Sequence, residues 1–398
     1  MPHITFNQPK NELVVPSELD GTTFNFIAKS YNFTTKERIP EYKICVNREN
    51  KEFLLSLKHK GENFLLKADK VTRVTPVQLV KDSINSYTKS VEANVIFSNT
   101  NNFSQKIKPT KSYLKDINFF VNEFKTDKEI QIEIGFGSGR HLLHQAKNNP
   151  DVQFIGLEIH TPSIEQLLKQ LEIQNIENVL VVNYDARLFM EFIDSNKVGK
   201  IFVHFPVPWD KKPHRRIYSN GFINEALRVL KVEGTLELRT DSRKYFDYCV
   251  GLLTSLPKGK ITIDINKDLE VSSKYEDRWK KQGKHIYDVV LTCNQLDEDI
   301  SIDYDFTFDE KIDYEKIIST LSTKAVVKED YFIHIEDLFL IENKENSGLI
   351  QVTFGSFDRP LSKYILIDNG SASYFQDLPL PTSANIKAHN QIKEMFKA

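Results

Sequence analysis

The chain has 398 residues, with 53 Lys and Arg against 55 Asp and Glu, and this length suffices for two or three domains with hydrophobic cores. The balanced charge excludes a globally basic nucleic-acid-binding protein, so any surface for nucleic acid must be a local patch. Cys45, Cys249 and Cys293 are scattered, which predicts neither a disulfide framework nor a zinc cluster. Because no signal peptide and no membrane-spanning apolar run are visible, the pattern favours a soluble protein of the reducing cytoplasm.

The N-terminal part of the chain carries short β-type runs between charged turns. These runs lie at residues 24–28, 52–57 and 91–97. They predict a β-rich appended domain over residues 1–112. An Asn-rich stretch at 98–102 and a Lys/Pro segment at 106–111 predict a linker at its end. Such basic linkers are usually only solvated, and contact with a phosphate backbone is the alternative.

Residues 130–143 combine a strand pattern, a glycine turn and a helix pattern. Apolar and polar residues first alternate, Gly135, Gly137 and Gly139 then follow at every second position, and a helical pattern covers 141–147. Glycines remove Cβ atoms where a backbone approaches a ligand, and the start of a helix presents free N–H groups. We therefore predict a nucleotide-like ligand over the carboxyl end of this strand.

The spacing of the glycines indicates which ligand it is. A dinucleotide fingerprint has a two-residue gap before its third glycine, whereas these glycines are evenly spaced and Glu133 precedes them. That carboxylate would repel a pyrophosphate but suits the cationic end of an amino acid. Residues 152–158 predict a second strand ending in Glu158, which can accept from two ribose hydroxyls. The combination favours S-adenosylmethionine over NAD, and a glycine loop that only makes a sharp turn is the alternative.

From residue 113 to 296 the chain alternates strand and helix patterns. Further strands are predicted at 178–183, 200–205, 235–239, 261–265 and 285–291, and helices at 164–171, 186–193, 223–230 and 242–253. With the two strands above, this alternation predicts an α/β fold with a doubly wound, mostly parallel seven-stranded sheet and one antiparallel strand near its end. Residues 297–398 also alternate strands and helices, and they predict a small α/β appended domain that ends in a helix at 384–396.

Acidic residues occur where four predicted strands end. They are Glu133, Glu158, Asp185 and Asp241. Since the carboxyl ends of parallel strands lie on one edge of the sheet, we expect these side chains to converge on one crevice. Asp185 and Asp241 precede helices, so helix N-capping is the alternative for either of them alone.

A basic loop at residues 205–217 follows the fourth strand. It contains two prolines and Trp209, and its cationic side chains are Lys211, Lys212, Arg215 and Arg216. An indole for stacking beside cations at the ligand edge favours binding of nucleic acid. The alternative is an ordinary solvated charge run.

Five short motifs occur in the order found in bacterial tRNA (guanine-N7-)-methyltransferases, and the chain resembles that family over roughly residues 113–295. The motifs are residues 133–139 (Glu-Ile-Gly-Phe-Gly-Ser-Gly), 154–160 (Phe-Ile-Gly-Leu-Glu-Ile-His), 206–212 (Pro-Val-Pro-Trp-Asp-Lys-Lys), 240–241 (Thr-Asp) and 273–276 (Ser-Lys-Tyr-Glu). The resemblance implies a Rossmann-like class I methyltransferase that uses S-adenosylmethionine to methylate N7 of the guanosine at position 46 of the tRNA variable loop. It implies cofactor binding by Glu133, Glu158 and Asp185, and substrate contacts by Lys211, Asp241 and the segment from Ser273 to Glu276.

Two positions depart from the family pattern. Val207 stands where the family usually has a catalytic aspartate, and Ser273 replaces a threonine but keeps the hydroxyl. N7 of guanine has a lone pair and no proton, so its attack needs no general base, and Asp210 in the same loop is the candidate to take over any role of the missing carboxylate. A non-catalytic RNA-binding relative is the first alternative, and an NAD-dependent oxidoreductase is the second.

Overall fold

The computed structural model describes residues 1–7, 9–31, 41–100, 113–257, 259–268, 282–299, 304–322 and 324–397. Two compact units divide the chain: a central unit of Ile107–Asp303, and a flanking unit that combines Met1–Lys106 with Tyr304–Ala398. The candidate residues Ser273 and Glu276, and most of the predicted linker, lie outside the described ranges.

Secondary structure covers both units. The N-terminal segment contains β1 (His3–Phe6), β2 (Ser17–Leu19), β3 (Thr22–Ser30), β4 (Glu41–Arg48), β5 (Lys51–Lys60), β6 (Asn63–Ala68), α1 (Val77–Ser90) and β7 (Val95–Ser98). The central unit contains β8 (Leu114–Lys115), α2 (Ile117–Asn122), β9 (Ile130–Ile134), α3 (Arg140–Asn148), β10 (Gln153–Leu157), α4 (Thr161–Gln174), β11 (Val179–Val182), α5 (Ala186–Phe189), β12 (Val198–His204), α6 (Asn220–Val229), β13 (Leu230–Thr240), α7 (Arg243–Thr254), β14 (Lys260–Ile265) and β15 (Tyr287–Thr292). The C-terminal segment contains α8 (Tyr314–Thr320), β16 (Val326–Val327), β17 (Phe332–Ile341), β18 (Gly348–Gly355), β19 (Leu361–Asp368), β20 (Ser371–Tyr374) and α9 (Ser383–Lys397). Among these described helices, none has the length and apolar character needed to cross a membrane.

The central unit is built on one sheet with the strand order β14-β15-β13-β12-β9-β10-β11-β8. All its pairings are parallel except those of β15, which runs antiparallel to both of its neighbours. The described sheet thus has eight strands instead of the predicted seven, because the two residues of β8 pair with the edge of β11. Such a short strand has too few residues to show a period of two in the sequence.

Helices cover both faces of the central sheet. Leu142 of α3 and Leu167 of α4 pack over Phe154 and Val179 on one face. On the opposite face, Phe246 of α7 stacks on Tyr287 of β15 with ring centroids 4.7 Å apart. The carboxyl ends of β9 to β13 therefore share one edge between two helical layers, which is the α/β arrangement that the alternation predicted.

The flanking unit joins segments from the two ends of the chain into one sheet. Its ten-strand path runs β20-β19-β18-β17-β3-β4-β5-β6-β1-β7, and β17 pairs with β3 through Phe339 opposite Ser30 and Ile341 opposite Ala28. This differs from the prediction of two separate appended domains and of an α/β C-terminal one. The strands β17 to β20 form antiparallel hairpins, and β19 and β20 are joined by Asn369-Gly370, both with positive φ.

A buried network of ion pairs and hydrogen bonds lies where the N-terminal and C-terminal segments of the flanking unit meet. The ammonium of Lys43 lies 2.9 Å from Asp69, 2.8 Å from Glu41 and 2.9 Å from the Ser56 hydroxyl. Tyr364, from the C-terminal segment, donates to the same Asp69 carboxylate at 3.1 Å. Burial disfavours ionised Asp69, but Lys43 and two backbone N–H groups outweigh it and lower its pKa. The ion pairs themselves lie within the N-terminal segment, and the Tyr364 hydroxyl is the group that the C-terminal segment adds, so we infer that this hydrogen bond helps to specify their pairing.

Asp69→Asn should destabilise the flanking unit by about 3–5 kcal/mol, because the amide leaves the buried Lys43 ammonium with one carboxylate fewer. Urea unfolding measured by circular dichroism provides the test. Asp368→Asn is the matched control, since Asp368 pairs with Lys344 at the surface and such pairs contribute about 0–1 kcal/mol. Equal stability of the two variants would contradict the role given to the network.

Candidate functional site

The glycine turn leads from the buried strand β9 directly into α3. Gly135, Gly137 and Gly139 all have positive φ, of 68°, 53° and 70° respectively. A Cβ added at Gly139 would lie 2.6 Å from Leu167, so this glycine permits close packing of α3 against α4. A Cβ at Gly135 would meet no atom within 4 Å, so the strand end opens there into free space. Gly139 thus serves packing, while Gly135 borders the space that a ligand can occupy.

Glu158 connects the glycine turn to the turn after β10. Its carboxylate accepts from the backbone N–H of Gly137 at 3.0 Å, of Ile159 at 2.9 Å and of His160 at 3.0 Å. A carboxylate has about four acceptor sites, so these three bonds leave room for a further donor. The half-buried Glu158 therefore organises the local backbone and retains capacity to accept from a ligand hydroxyl.

Glu133 is buried beneath the glycine turn and is paired with a histidine. Its Oε2 lies 2.8 Å from Nδ1 of His141. Burial disfavours the charged imidazolium, but the charge of Glu133 and this hydrogen bond outweigh it, and the pKa of His141 is raised. Burial, then the neighbouring His141 and Arg239, hold the pKa of His204 well below its ordinary value. The carboxylate of Glu133 thus has a basic partner within the protein, His141, which the sequence analysis did not predict.

The two histidines line a cavity of about 250 Å³ between α3 and the sheet. Their rings lie 4.6 Å apart, centroid to centroid. Lys200 and Glu237 line the same cavity. His141 therefore lies between this cavity and the buried carboxylate of Glu133, which is not among the lining residues.

Asp185 caps α5 and binds an arginine. It accepts from the backbone N–H of Arg187 at 3.0 Å, and its carboxylate takes two further bonds from the Arg187 guanidinium at 3.0 and 2.7 Å. The same guanidinium donates to the backbone carbonyl of His214 at 3.4 Å. The N-cap interpretation is confirmed for Asp185, and Arg187 also joins the end of β11 to the basic loop.

Asp241 follows β13 and does not cap the next helix. Ser242 is the N-cap of α7 and accepts from Tyr245 N–H at 3.3 Å. Asp241 instead pairs with Lys284 at 2.8 Å, with a fifth of its side chain exposed. The capping alternative is therefore wrong for Asp241, and its carboxylate lies at the ligand edge beside a cation.

The basic loop is strained and largely exposed. Phe205 and Trp209 have left-handed φ values of 50° and 45°, which cost on the order of 1–3 kcal/mol each for bulky residues and tend to cluster at functional sites. Lys211, Lys212 and Arg215 are exposed, and the Arg215 guanidinium lies 5.2 Å from the centroid of the Trp209 ring. These three cations are available to phosphates.

Arg216 differs from the other cations of the loop, because only 10% of its side chain is exposed. It donates to the Pro208 carbonyl at 2.9 Å and lies 4.4 Å from the Tyr248 ring centroid. Asp210, with half of its side chain exposed, is its ion partner at 3.5 Å, while Val207 is 59% exposed. Arg216 is thus a structural element of the loop, and Asp210 is engaged with it instead of with Lys212 or Arg215.

The structure brings Glu158, Asp185 and Asp241 to one edge of the sheet, with the basic loop beside them. The sequence analysis did not predict the basic partners of these carboxylates, which are His141 for Glu133, Arg187 for Asp185 and Lys284 for Asp241. His141 and Arg187 lie eight and two residues from their partners. A buried carboxylate requires a partner, so Glu133 alone signalled that one had to exist.

The chain is similar in sequence to known methyltransferases. Residues 127–289 match the family model described as "Putative methyltransferase". The tRNA (guanine-N(7)-)-methyltransferase of Wolinella succinogenes is 44% identical over 354 residues, which cover 88% of this chain and 90% of the relative. Those of Campylobacter fetus and Helicobacter pylori are 38% and 40% identical, and the matches cover 99% and 87% of this chain and 98% and 86% of the relatives.

Glu133→Gln should lower the pKa of His141, because the substitution removes the charge that stabilises the imidazolium. While Glu133 is present, the pair stabilises the fold below the ordinary histidine pKa of about 6.5, and the stabilisation is lost as the pH rises through the raised folded value. An NMR titration of the His141 ring tests this directly. Glu165→Gln, at an exposed position of α4, is the control. An unaltered His141 titration in Glu133→Gln would show that another group holds the proton.

Proposed function

The chain belongs to the tRNA (guanine-N(7)-)-methyltransferase family, and from that premise we propose that it transfers a methyl group from S-adenosylmethionine to N7 of the guanosine at position 46 of tRNA. The observation that carries the proposal is the convergence of three carboxylates at one sheet edge beside an exposed basic loop. Carboxylates suit ribose hydroxyls, an amino group and guanine donors, whereas the loop suits phosphates.

The residues at the strand ends fit the methyl donor. The space in front of Gly135 admits a ligand against bare backbone, and Glu158 keeps an acceptor site for a ribose hydroxyl. Asp185 sits at the end of the next strand, and we assign it to the same ligand. Glu133 is buried and bonded to His141, so we assign to it the role of holding the strand end in place. When bound, S-adenosylmethionine supplies an electrophilic methyl group on a sulfonium.

The reaction makes modest demands on the protein. Guanine N7 offers a lone pair and carries no proton, so no residue has to act as a general base. The side chains need to hold the base in line with the methyl group and to stabilise the positive charge that grows on the purine. Asp241 suits this task, since a carboxylate accepts from the adjacent N1–H and N2 amino group of guanine. Lys284 already holds Asp241 at the site edge, which reduces the reorganisation needed when guanine binds.

Wild-type protein should methylate tRNA that lacks this modification, although Val207 replaces the usual aspartate. Labelled S-adenosylmethionine and mapping of the methylated base provide the test.

Asp241→Asn should abolish most turnover, because the amide presents a donor to a donor of guanine. The fold should survive, since Ser242 and not Asp241 caps the following helix. Asp247→Asn is the control, at a surface carboxylate that pairs with Arg243.

Three results would count against the proposal. Tight tRNA binding without any methyl transfer would indicate a non-catalytic RNA-binding relative. Wild-type turnover in Asp241→Asn would remove that residue from base recognition. Activity that appears only in Val207→Asp would show that the carboxylate is essential and that positioning alone does not suffice.

Lys211→Gln combined with Lys212→Gln should raise the tRNA dissociation constant and lower its salt slope by roughly 0.7–0.9 per lost phosphate contact, while the affinity for S-adenosylmethionine stays constant. Binding titrations at several salt concentrations measure both effects. Arg216→Gln should instead lower thermal stability, because the Arg216 guanidinium packs on the Tyr248 ring of α7. A salt slope that is equal in wild type and the double variant would make the lysines a solvated surface.

A further inference from the structure

The flanking unit presents a shallow cavity of about 460 Å³ at the outer end of its sheet. Its side chains come from β1, the end of β5, β6 and β7, and we name it the edge-strand pocket. The lining side chains that matter here are His3, Thr5, Lys60, Leu65, Lys67 and Phe97. The register places them on one face, since Thr5 lies opposite both Leu65 and Phe97. None of the residues assigned to methyl transfer lies in this unit.

An exposed aromatic ring stands at the rim of the pocket. Phe97 is 52% exposed on β7, the last strand of the described sheet path, and its neighbour Ile96 is 54% exposed. The Phe97 ring stacks on His3 with centroids 5.3 Å apart and planes inclined by 30°. Asn99 holds His3 in place. Its side-chain oxygen accepts from the backbone N–H of His3 at 2.8 Å, and its side-chain nitrogen lies 2.9 Å from Nδ1 of the His3 ring. Proteins normally cover an apolar edge strand, so a ring held in a fixed orientation here indicates a binding surface.

Two lysines face the same pocket without carboxylate partners. Among the described residues, neither Lys60 nor Lys67 forms an ion pair, although Lys58 on the same face pairs with Glu41. Glu62, in the turn after β5, is not within ion-pair distance of Lys60. Partial burial and then the neighbouring Lys58 lower the pKa of Lys67, although Glu41 acts in the opposite direction, and no carboxylate is among the described residues that line the pocket. The pocket therefore has a positive charge that a bound partner must complement.

We propose that the edge-strand pocket is a second RNA-binding surface, which stacks an unpaired base of tRNA on Phe97 and holds adjacent phosphates with Lys60 and Lys67. The inference rests on the proposed function, because that function supplies tRNA as the polyanion. An exposed ring beside free cations is the combination that binds single-stranded nucleotides. An apolar protein surface would cover the ring but would leave both ammonium groups desolvated without a counter-charge, which is costly.

Substitutions in the full-length protein test the pocket. Phe97→Ala should raise the dissociation constant for unmodified tRNA about fivefold or more, the effect expected from the loss of one stacked base. Phe97→Trp should retain affinity, because an indole stacks as well. Lys60→Gln combined with Lys67→Gln should lower the salt slope by about 1.4, as for two contacts to a single strand. In all variants, turnover at saturating tRNA and the affinity for S-adenosylmethionine should match the wild type.

Matched controls exist in the same unit. Phe357 is 54% exposed and stacks on Phe332 at 5.4 Å, so Phe357→Ala removes an equally exposed ring. Lys324→Gln combined with Lys328→Gln makes the same charge change at two exposed positions. Both controls should bind tRNA as the wild type does.

The outcomes separate this inference from the proposed function. If wild type methylates tRNA but the pocket variants bind it as tightly as the controls do, the pocket is not an RNA surface. If those variants keep their tRNA affinity but change the sedimentation of the protein, the face packs on a second copy, which also overturns the inference. If wild type binds tRNA without methylating it, the proposed function fails, and the measured dissociation constants still decide the role of the pocket.

Discussion

The carboxylate of Glu158 is the interaction on which the ligand edge depends. It accepts N–H groups from the glycine turn after β9 and from the turn after β10, so one side chain fixes two loops relative to each other. The positive φ values of Gly135, Gly137 and Gly139 make this geometry possible, because residues with a Cβ adopt such angles at a cost. Any ligand that bonds to Glu158 thus meets a surface that is already ordered, and binding requires little further loss of conformational entropy.

The remaining carboxylates at the strand ends are held by basic side chains of the protein itself. Asp185 binds Arg187, Asp241 binds Lys284, and Glu133 binds His141 behind the turn. Such pairing orients the carboxylates before a ligand binds. It also links elements, since Arg187 reaches the backbone of the basic loop. Asp185 and Asp241 are thus held at the ligand edge by cations, and the cation of the first pair also contacts the basic loop.

Local signals predicted the central unit well and the flanking unit poorly. The periodicity of β9 to β13 and the glycine turn are readable because they arise from neighbouring residues. The pairing of β3 with β17 joins positions about three hundred residues apart, and no local pattern encodes such a contact. The packing of Arg216 was not predictable for the same reason. Its charge favours an exposed position, and its contact with Tyr248 joins residues 32 positions apart in the chain. The Asn369-Gly370 dipeptide, by contrast, is a local signal for a hairpin turn, so this part of the flanking unit was predictable from the sequence.

The exposed Val207 raises the question of whether the methyl transfer needs a carboxylate in the basic loop. A general base is needed only where a proton must leave, and guanine N7 has none to lose. The nearest carboxylate in the loop, Asp210, contacts Arg216 at 3.5 Å, so it contributes to the shape of the loop more directly than to the reacting atoms. The left-handed φ angles of Phe205 and Trp209 also indicate that the loop is held in one geometry, because such angles are unfavourable for bulky residues unless surrounding contacts maintain them. A valine at position 207 is therefore compatible with the proposed methyl transfer, in which Asp241 holds the base and the loop contacts phosphates.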